Sequence, residues 1–374
     1  MRSISGEVLF VAGESSGDLH AAGVAEAIRK LQPERALFGI GGNRMRAAGV
    51  ELIEHVENLA VMGFVEVVRH VPHHWKLLRQ LRERMQRGHT ALVVLIDYAG
   101  FNMQVAKAAR DAGVPVLYYV TPQVWASRAG RLPKLARVVT KAACILPFEE
   151  ALLREHGIDA TFVGHPLLDR ALELPTQAEA RSQLGMRMQG ELLAVFPGSR
   201  KSELAFHLEP FVETARELQR RRPGLDVVVA TAPSMQIDST RCPFPQISGA
   251  SFRVLRAATA GLLKSGTTTL EAAVVGLPHV IAYRTSGISY AIAKRVVTIP
   301  RIGLVNVVAN REVSREFVQH ALVPVDMANA LEPLLTEGSA ERAAAVQGLA
   351  NVRAQLGTPG AAERVATMAI GMMS

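Results

Sequence analysis

Two acidic side chains stand where short apolar runs end, a position from which α/β proteins act on ligands. Asp97 closes the run Ala91-Leu92-Val93-Val94-Leu95-Ile96 and precedes Tyr98-Ala99-Gly100-Phe101-Asn102. At the edge of a strand buried on both faces a carboxylate loses water, which lifts its pKa toward the range of a general base for a hydroxyl nucleophile. The same spot also suits a carboxylate capping a helix that begins near Asn102. Glu14 lies in Val11-Ala12-Gly13-Glu14-Ser15-Ser16-Gly17-Asp18, a strand end, small-residue turn and helix start that bring backbone N–H groups and hydroxyls to one point. Ser16 or Asp18 also fits as a cap of that helix. The turn is neither a GxGxxG fingerprint nor a Walker A loop.

Two further loops are built for anions. Phe196-Pro197-Gly198-Ser199-Arg200-Lys201-Ser202-Glu203 combines small residues, which allow close backbone approach, with two cations, a set suited to a diphosphate. Ser265-Gly266-Thr267-Thr268-Thr269-Leu270-Glu271 puts hydroxyls and N–H groups at a helix start, with Glu271 about a turn inside. A carboxylate there either accepts both hydroxyls of a ribose or complements the helix dipole. Together the loops fit a nucleotide diphosphate and leave open what is transferred.

The elements that must hold these loops follow from the apolar rhythm. Glu7 to Ala12, Ala91 to Ile96, Val116 to Val120 and Ala143 to Leu146 read as strands alternating with helices, the pattern of βαβ units and a parallel sheet. Leu192 to Phe196, Asp226 to Thr231, Gly261 to Leu263 and Pro278 to Ala282 form a second set beyond the polar segment Asp169 to Gln183. The 374 residues suffice for two domains at about 150 residues each. We therefore expect an α/β chain of two doubly wound, Rossmann-like domains, 1–168 and 169–344, facing a cleft that holds the active site. Ser339 to Met373 reads as two terminal helices broken at Gly357-Thr358-Pro359-Gly360, with 345–374 returning to the first domain.

Composition narrows the partners. Hydrophobic residues make up 49% and charged residues 20%, which excludes a disordered or fibrous chain. Lys plus Arg number 42 against 34 acids, so the +8 excess favours an anionic partner. Two cysteines, Cys144 and Cys242, lack the pattern of a disulfide framework or metal knuckle. No apolar run reaches the roughly 18 residues of a membrane span, and Met1 to Gly6 shows no signal-peptide core, so a cytoplasmic protein is expected. The segment Val67 to Arg79 mixes apolar and basic residues around Trp75, and suits either a membrane interface or an amphipathic helix packed on the sheet. His73-His74 has no i,i+4 ligand partner, so no metal is expected there. Arg128, Arg131, Lys134, Arg137 and Lys141 form a basic run, either a solvated face or an anion rim. Arg220-Arg221-Arg222 complements a helix C-terminus. A nucleic-acid partner lacks support, with no helix-turn-helix or zinc knuckle and 5% aromatics.

The blocks Val11 to Asp18, Leu59 to Val67, Pro122-Gln123-Val124-Trp125-Ala126, Leu146-Pro147-Phe148-Glu149, Val163-Gly164-His165-Pro166, Pro197-Gly198-Ser199-Arg200 and Ser265-Gly266-Thr267 occur in an order that resembles the lipid-A-disaccharide synthases, over nearly the whole chain. The resemblance implies an inverting glycosyltransferase of the GT-B fold, transferring 2,3-diacylglucosamine from its UDP derivative to the 6-hydroxyl of 2,3-diacylglucosamine 1-phosphate. It implies no metal or other cofactor, a glycolipid acceptor held mainly by the N-terminal domain and a UDP-sugar donor held mainly by the C-terminal one. It also implies work at the inner face of the cytoplasmic membrane, and it allows an exchanged dimer.

Carried over by position, Asp97 is the general base, and Glu14, a carboxylate in a βα turn, is counted with it as catalytic. Ser15, Ser16, Asn43, Ser199, Arg200, Ser265, Gly266, Thr267, Thr268, Glu271 and Asn306 bind substrate, with Glu271 on the ribose and Asn306 in the donor site. Val68, Val71, Trp75 and Leu78 meet the membrane. The chain departs from the family pattern at Ala99-Gly100, where a Pro-Asp pair is usual, and at Ser127, where a second tryptophan is common. Donor binding is therefore expected to be kept and acceptor choice to have shifted. The alternatives are a GT-B transferase with another lipid acceptor and a UDP-N-acetylglucosamine 2-epimerase.

Overall fold

A computed structural model describes residues 6–59, 64–123, 125, 129–233, 235–296 and 299–373. The chain divides into two compact units, Met1–Pro166 with Gly357–Ser374, and Leu167–Leu356.

The first unit is built on seven parallel strands: β1 (Glu7–Ala12), β2 (Leu37–Gly41), β3 (Glu51–His55), β4 (Thr90–Ile96), β5 (Val116–Tyr119), β6 (Lys141–Cys144) and β7 (Asp159–Phe162). Their order in the sheet is β3-β2-β1-β4-β5-β6-β7. β1 and β4 lie side by side, Leu9 opposite Val93 and Val11 opposite Leu95. Both are apolar throughout because each face is covered. Helices Phe64–Gln86, Ala99–Asp111 and Leu132–Ala136 bury Leu77, Leu81, Met85, Phe101, Val105 and Leu132 on one face. Helices Ser15–Leu31 and Ala361–Met372 bury Val24, Ala25, Ile28, Val365, Ala366 and Ala369 on the other.

The second unit repeats the plan with six parallel strands: β8 (Leu192–Phe196), β9 (Asp226–Thr231), β10 (Gln246–Ser248), β11 (Ala260–Lys264), β12 (His279–Tyr283) and β13 (Glu316–Val318), ordered β10-β9-β8-β11-β12-β13. Helices Lys201–Arg221 and Pro324–Leu335 cover one face with Leu208, Phe211, Met327 and Leu331. Helices Gln177–Gln183, Ser251–Ala257 and Thr268–Val275 cover the other with Ala180, Val254, Leu255 and Ala272.

Two expectations shift. The crossing falls at 166/167, and helix Ala340–Gln355 belongs to the second unit rather than the first. It packs against helices Thr268–Val275, Leu304–Ala309 and Pro324–Leu335, and its Leu349 and Val352 are fully buried. Only Ala361–Met372 returns, after a turn in which Gly357 and Gly360 take φ of +89° and +95°. Cys144 and Cys242 are buried thiols, one in each unit.

In each sheet the strand order reverses once, between β1 and β4 and between β8 and β11. At such a switch point the two following helices run to opposite faces and leave a crevice beyond the carboxyl ends. The first crevice is tightly fitted: a Cβ on Gly13, just past β1, would stand 2.0 Å from Tyr98 Cγ, just past β4. Gly13→Ala is expected to lose about 1–3 kcal/mol through this overpacking, read as a lower denaturant midpoint with unchanged slope.

Candidate functional site

Asp97 and Tyr98 follow β4 with φ of +49° and +46°, a rare pair of left-handed non-glycine residues, and Val120 past β5 takes +57°. Strain of this kind persists only where neighbours enforce it. Here the Asp97 carbonyl accepts from Tyr118 Oη (2.6 Å) and from the buried Asn102 Nδ2 (2.7 Å). The Asp97 N–H donates toward the carbonyls of Tyr119 and Val120. With its backbone clamped, the Asp97 side chain projects half-buried from the strand end. Burial raises its pKa, the negative charge of Glu14 raises it further, and the Tyr98 N–H partly offsets both. This is the electrostatic profile of a base. Asn102, not Asp97, holds the start of helix Ala99–Asp111 to β4, its Nδ2 also donating to Ile96 O. Tyr98 Oη meets His74 Nε2 at 3.0 Å, tying helix Phe64–Gln86 to the crevice.

Glu14, Ser15 and Ser16 are exposed at the start of helix Ser15–Leu31. Glu14 is its N-cap residue without a side-chain capping bond. Asp18 is buried and caps a different helix: the N–H groups of Gly42, Arg44 and Met45 donate to it at 2.6, 3.1 and 3.1 Å. Asn43 is exposed on that helix and accepts from Arg46.

The second crevice holds a pocket of about 340 Å³ lined by Gly198, Ser199, Glu203, Thr231, Ser251, Lys264, Ser265, Gly266, Thr267, Thr268 and Glu271, among others. All five predicted residues from Ser265 to Glu271 converge there with Ser199, and Arg200 stands beside them, its side chain two-thirds exposed. Lys264, which ends β11, ion-pairs with Glu203 at 2.8 Å. The Ser199 N–H also donates to Glu203 (2.8 Å). Burial alone lifts the Glu203 pKa, but Lys264, the Ser199 N–H and Arg200 outweigh it and hold the carboxylate below its usual range. Gly198, at φ +130°, makes this fold-back possible, since a Cβ would lie 2.6 Å from Glu203 Cβ. Glu271 is raised by burial, opposed by Arg170 (3.5 Å) and Ser251. The Ser265 hydroxyl proton is committed to Ile302 O (2.7 Å).

Asn306 requires correction. It is fully buried, its Nδ2 donating to Ser314 O and Glu316 Oε1 and its Oδ1 accepting from the N–H groups of Val313 and Ser314. With every donor and acceptor used inside the protein, it braces the loop behind Ser265 and has nothing left for a donor sugar.

Helix Phe64–Gln86 exposes Trp75 at 68%. Arg79 and Arg82 stand one and two turns on, exposed on the same face. Leu78 is instead half-buried against the core, which removes it from the membrane set. Val68 and Val71 fall on helix residues whose side chains are outside the description, and Ser127 and Arg128 lie outside the described residues. His73 pairs with Glu54 of β3 at 2.8 Å. Among the described residues no group of three or more His, Cys, Asp or Glu is placed to hold a metal ion. Arg221 and Arg222 are spent on Glu217, Glu332 and Glu191.

Sequence reasoning passed over Lys264, Tyr98 and Glu149. Lys264 ends an apolar run as Asp97 does, so the same signal could have found it. Glu149 is 2% exposed and accepts from Trp125 Nε1 (3.0 Å) and the Leu146 N–H (3.1 Å), joining the loops after β5 and β6. Burial pushes its pKa up to about 7, against the pull of these donors.

A family profile described as Lipid-A-disaccharide synthetase matches residues 8–366. The chain is 40% identical over 370 residues to a lipid-A-disaccharide synthase of Syntrophotalea carbinolica, covering 96% of this chain and 94% of that one. Among solved structures it is similar to the calicheamicin glycosyltransferase CalG4, with a TM-score of 0.65, 15% identity and coverage of 100% and 99%. It is also similar to a UDP-GlcNAc 2-epimerase from Neisseria meningitidis bound to UDP-GlcNAc, with a TM-score of 0.63, 12% identity and coverage of 98% and 100%. At these identities the solved structures speak to the fold, which is GT-B.

Glu149 gives the site a pH signature. Its folded pKa lies above the ordinary 4.5, so the stability it contributes is complete below about pH 4.5 and lost as pH rises through about 7. The loss is at most about 3 kcal/mol. Glu149→Gln should flatten that slope in urea titrations run from pH 4.5 to 8, whereas an unchanged slope would assign it to other groups.

Proposed function

The chain belongs to the lipid-A-disaccharide synthetase family and is a glycosyltransferase, and from that premise we propose that each unit supplies one half of the transfer. The reaction joins 2,3-diacylglucosamine from UDP-2,3-diacylglucosamine to the 6-hydroxyl of 2,3-diacylglucosamine 1-phosphate and releases UDP. The observation that carries our division of labour is the matched pair of switch points, one bearing a half-buried carboxylate of raised pKa and the other a pocket with Lys264 in its wall and Arg200 beside it. The epimerase alternative rests on fold likeness at 12% identity and gains no support beyond it.

In this reading Asp97 takes the proton from the acceptor hydroxyl as its oxygen attacks the anomeric carbon. Glu14 keeps that carboxylate basic by repulsion. Negative charge then builds on the departing diphosphate, met by Arg200, Lys264 and the N–H groups at the start of helix Thr268–Val275, with no metal assigned a part. Glu271 accepts the ribose hydroxyls. The open space around Gly100 is a place where acceptor choice could differ from relatives that carry an acid there.

Among the described residues no helix is long and apolar enough to cross a membrane. Both substrates carry acyl chains, so we assign contact with the cytoplasmic membrane surface to the face bearing Trp75, Arg79 and Arg82, an exposed aromatic among cations.

Asp97→Asn should cut product formation, followed by mass spectrometry, by at least about 100-fold while leaving UDP affinity unchanged. Collapse of both would make the residue structural. Arg200→Ala should weaken UDP binding and slow turnover together, and unchanged kinetics would remove it from the diphosphate. Trp75→Ala should lower cosedimentation with vesicles containing phosphatidylglycerol, with secondary structure intact; equal partitioning would move the membrane face elsewhere.

A further inference from the structure

Glu203 gathers the groups that the second pocket offers to an anion. The Ser199 N–H and Lys264 Nζ each lie 2.8 Å from its carboxylate, the Ser199 hydroxyl 3.5 Å and Arg200 Nη1 3.8 Å. A main-chain N–H, a hydroxyl, an ammonium and a guanidinium around two oxygens is the donor set of a phosphate site. The carboxylate is not a chance surface partner, since its side chain is 14% exposed and Lys264 only 19%. The turn at Gly198 is shaped to admit it, as any side chain there would strike Glu203.

We propose that Glu203 is a built-in counter-anion that occupies the diphosphate's ligands while the pocket is empty and competes with UDP for them. The inference rests on reading this pocket as the diphosphate site and adds to it a control on product release. Without Glu203, the largely buried Lys264 ammonium would lose its carboxylate partner, so Glu203 keeps that cation paired and ordered between turnovers. An incoming diphosphate carries more charge and more acceptor oxygens than one carboxylate, and displaces it from Lys264 and Ser199. After transfer the returning carboxylate reclaims those donors, which shortens the stay of UDP. No bond to Glu203 forms or breaks.

The test is calorimetric titration of UDP into the full chain and its Glu203→Gln variant, with inhibition of transfer by UDP as a second readout. Removing the competing charge should tighten UDP binding by about tenfold and strengthen product inhibition to match. Unchanged or weaker binding by a folded variant overturns the proposal and makes Glu203 a positioning residue for Lys264. If Glu203→Gln does not fold, Glu203→Asp, whose carboxylate stops one methylene short of Lys264, carries the same two outcomes. Saturable UDP binding by the unaltered protein that Lys264→Ala weakens keeps the pocket reading whatever Glu203 does. Absence of any UDP binding removes both.

Discussion

Parallel strands end together, and that constraint governs the chemistry of this chain. All strands of a parallel sheet deliver their carboxyl ends to one edge, and only where the order reverses do the following helices part enough to admit a ligand. In both units the reversal lies beside the first strand, between β1 and β4 and between β8 and β11. The strained pair Asp97-Tyr98, the glycine against which Tyr98 packs, and the lysine that ends β11 are all consequences of packing function into those two gaps.

Carboxylates sort themselves by what faces them. Asp18 receives three backbone N–H groups and Glu316 those of Ile302 and Gly303, so both act as fixed struts for turns. Glu149, buried, and Asp97, half-buried, have less compensation and are pushed toward protonation. Glu203 is buried and overcompensated by cations. Residue type alone separates none of these, because in sequence each is an acid near a strand end or helix start.

That limit explains what was legible. Long apolar runs such as Leu92-Val93-Val94-Leu95-Ile96 announce central strands, and both switch-point loops could be read from the small residues that follow them. β3, half-exposed along its length, and the three-residue β10 and β13 carry too little apolar signal to be seen. The partners of Asn306 lie within ten residues, yet only the folded loop shows that they exhaust it. Leu78 illustrates a different limit: on an amphipathic helix one step of 100° separates core from surface, and a local mixture of leucine and arginine does not fix the phase.

The return of helix Ala361–Met372 to the first unit has a consequence for synthesis. Val365, Ala366 and Ala369 cover the same sheet face as helix Ser15–Leu31, so that face stays partly bare until the helix has been made. Some 190 residues of the second unit come off the ribosome in between, roughly 10–40 s at ordinary elongation rates. Over that interval the nascent first unit carries an uncovered apolar strip, and its core closes only after the second unit has been made.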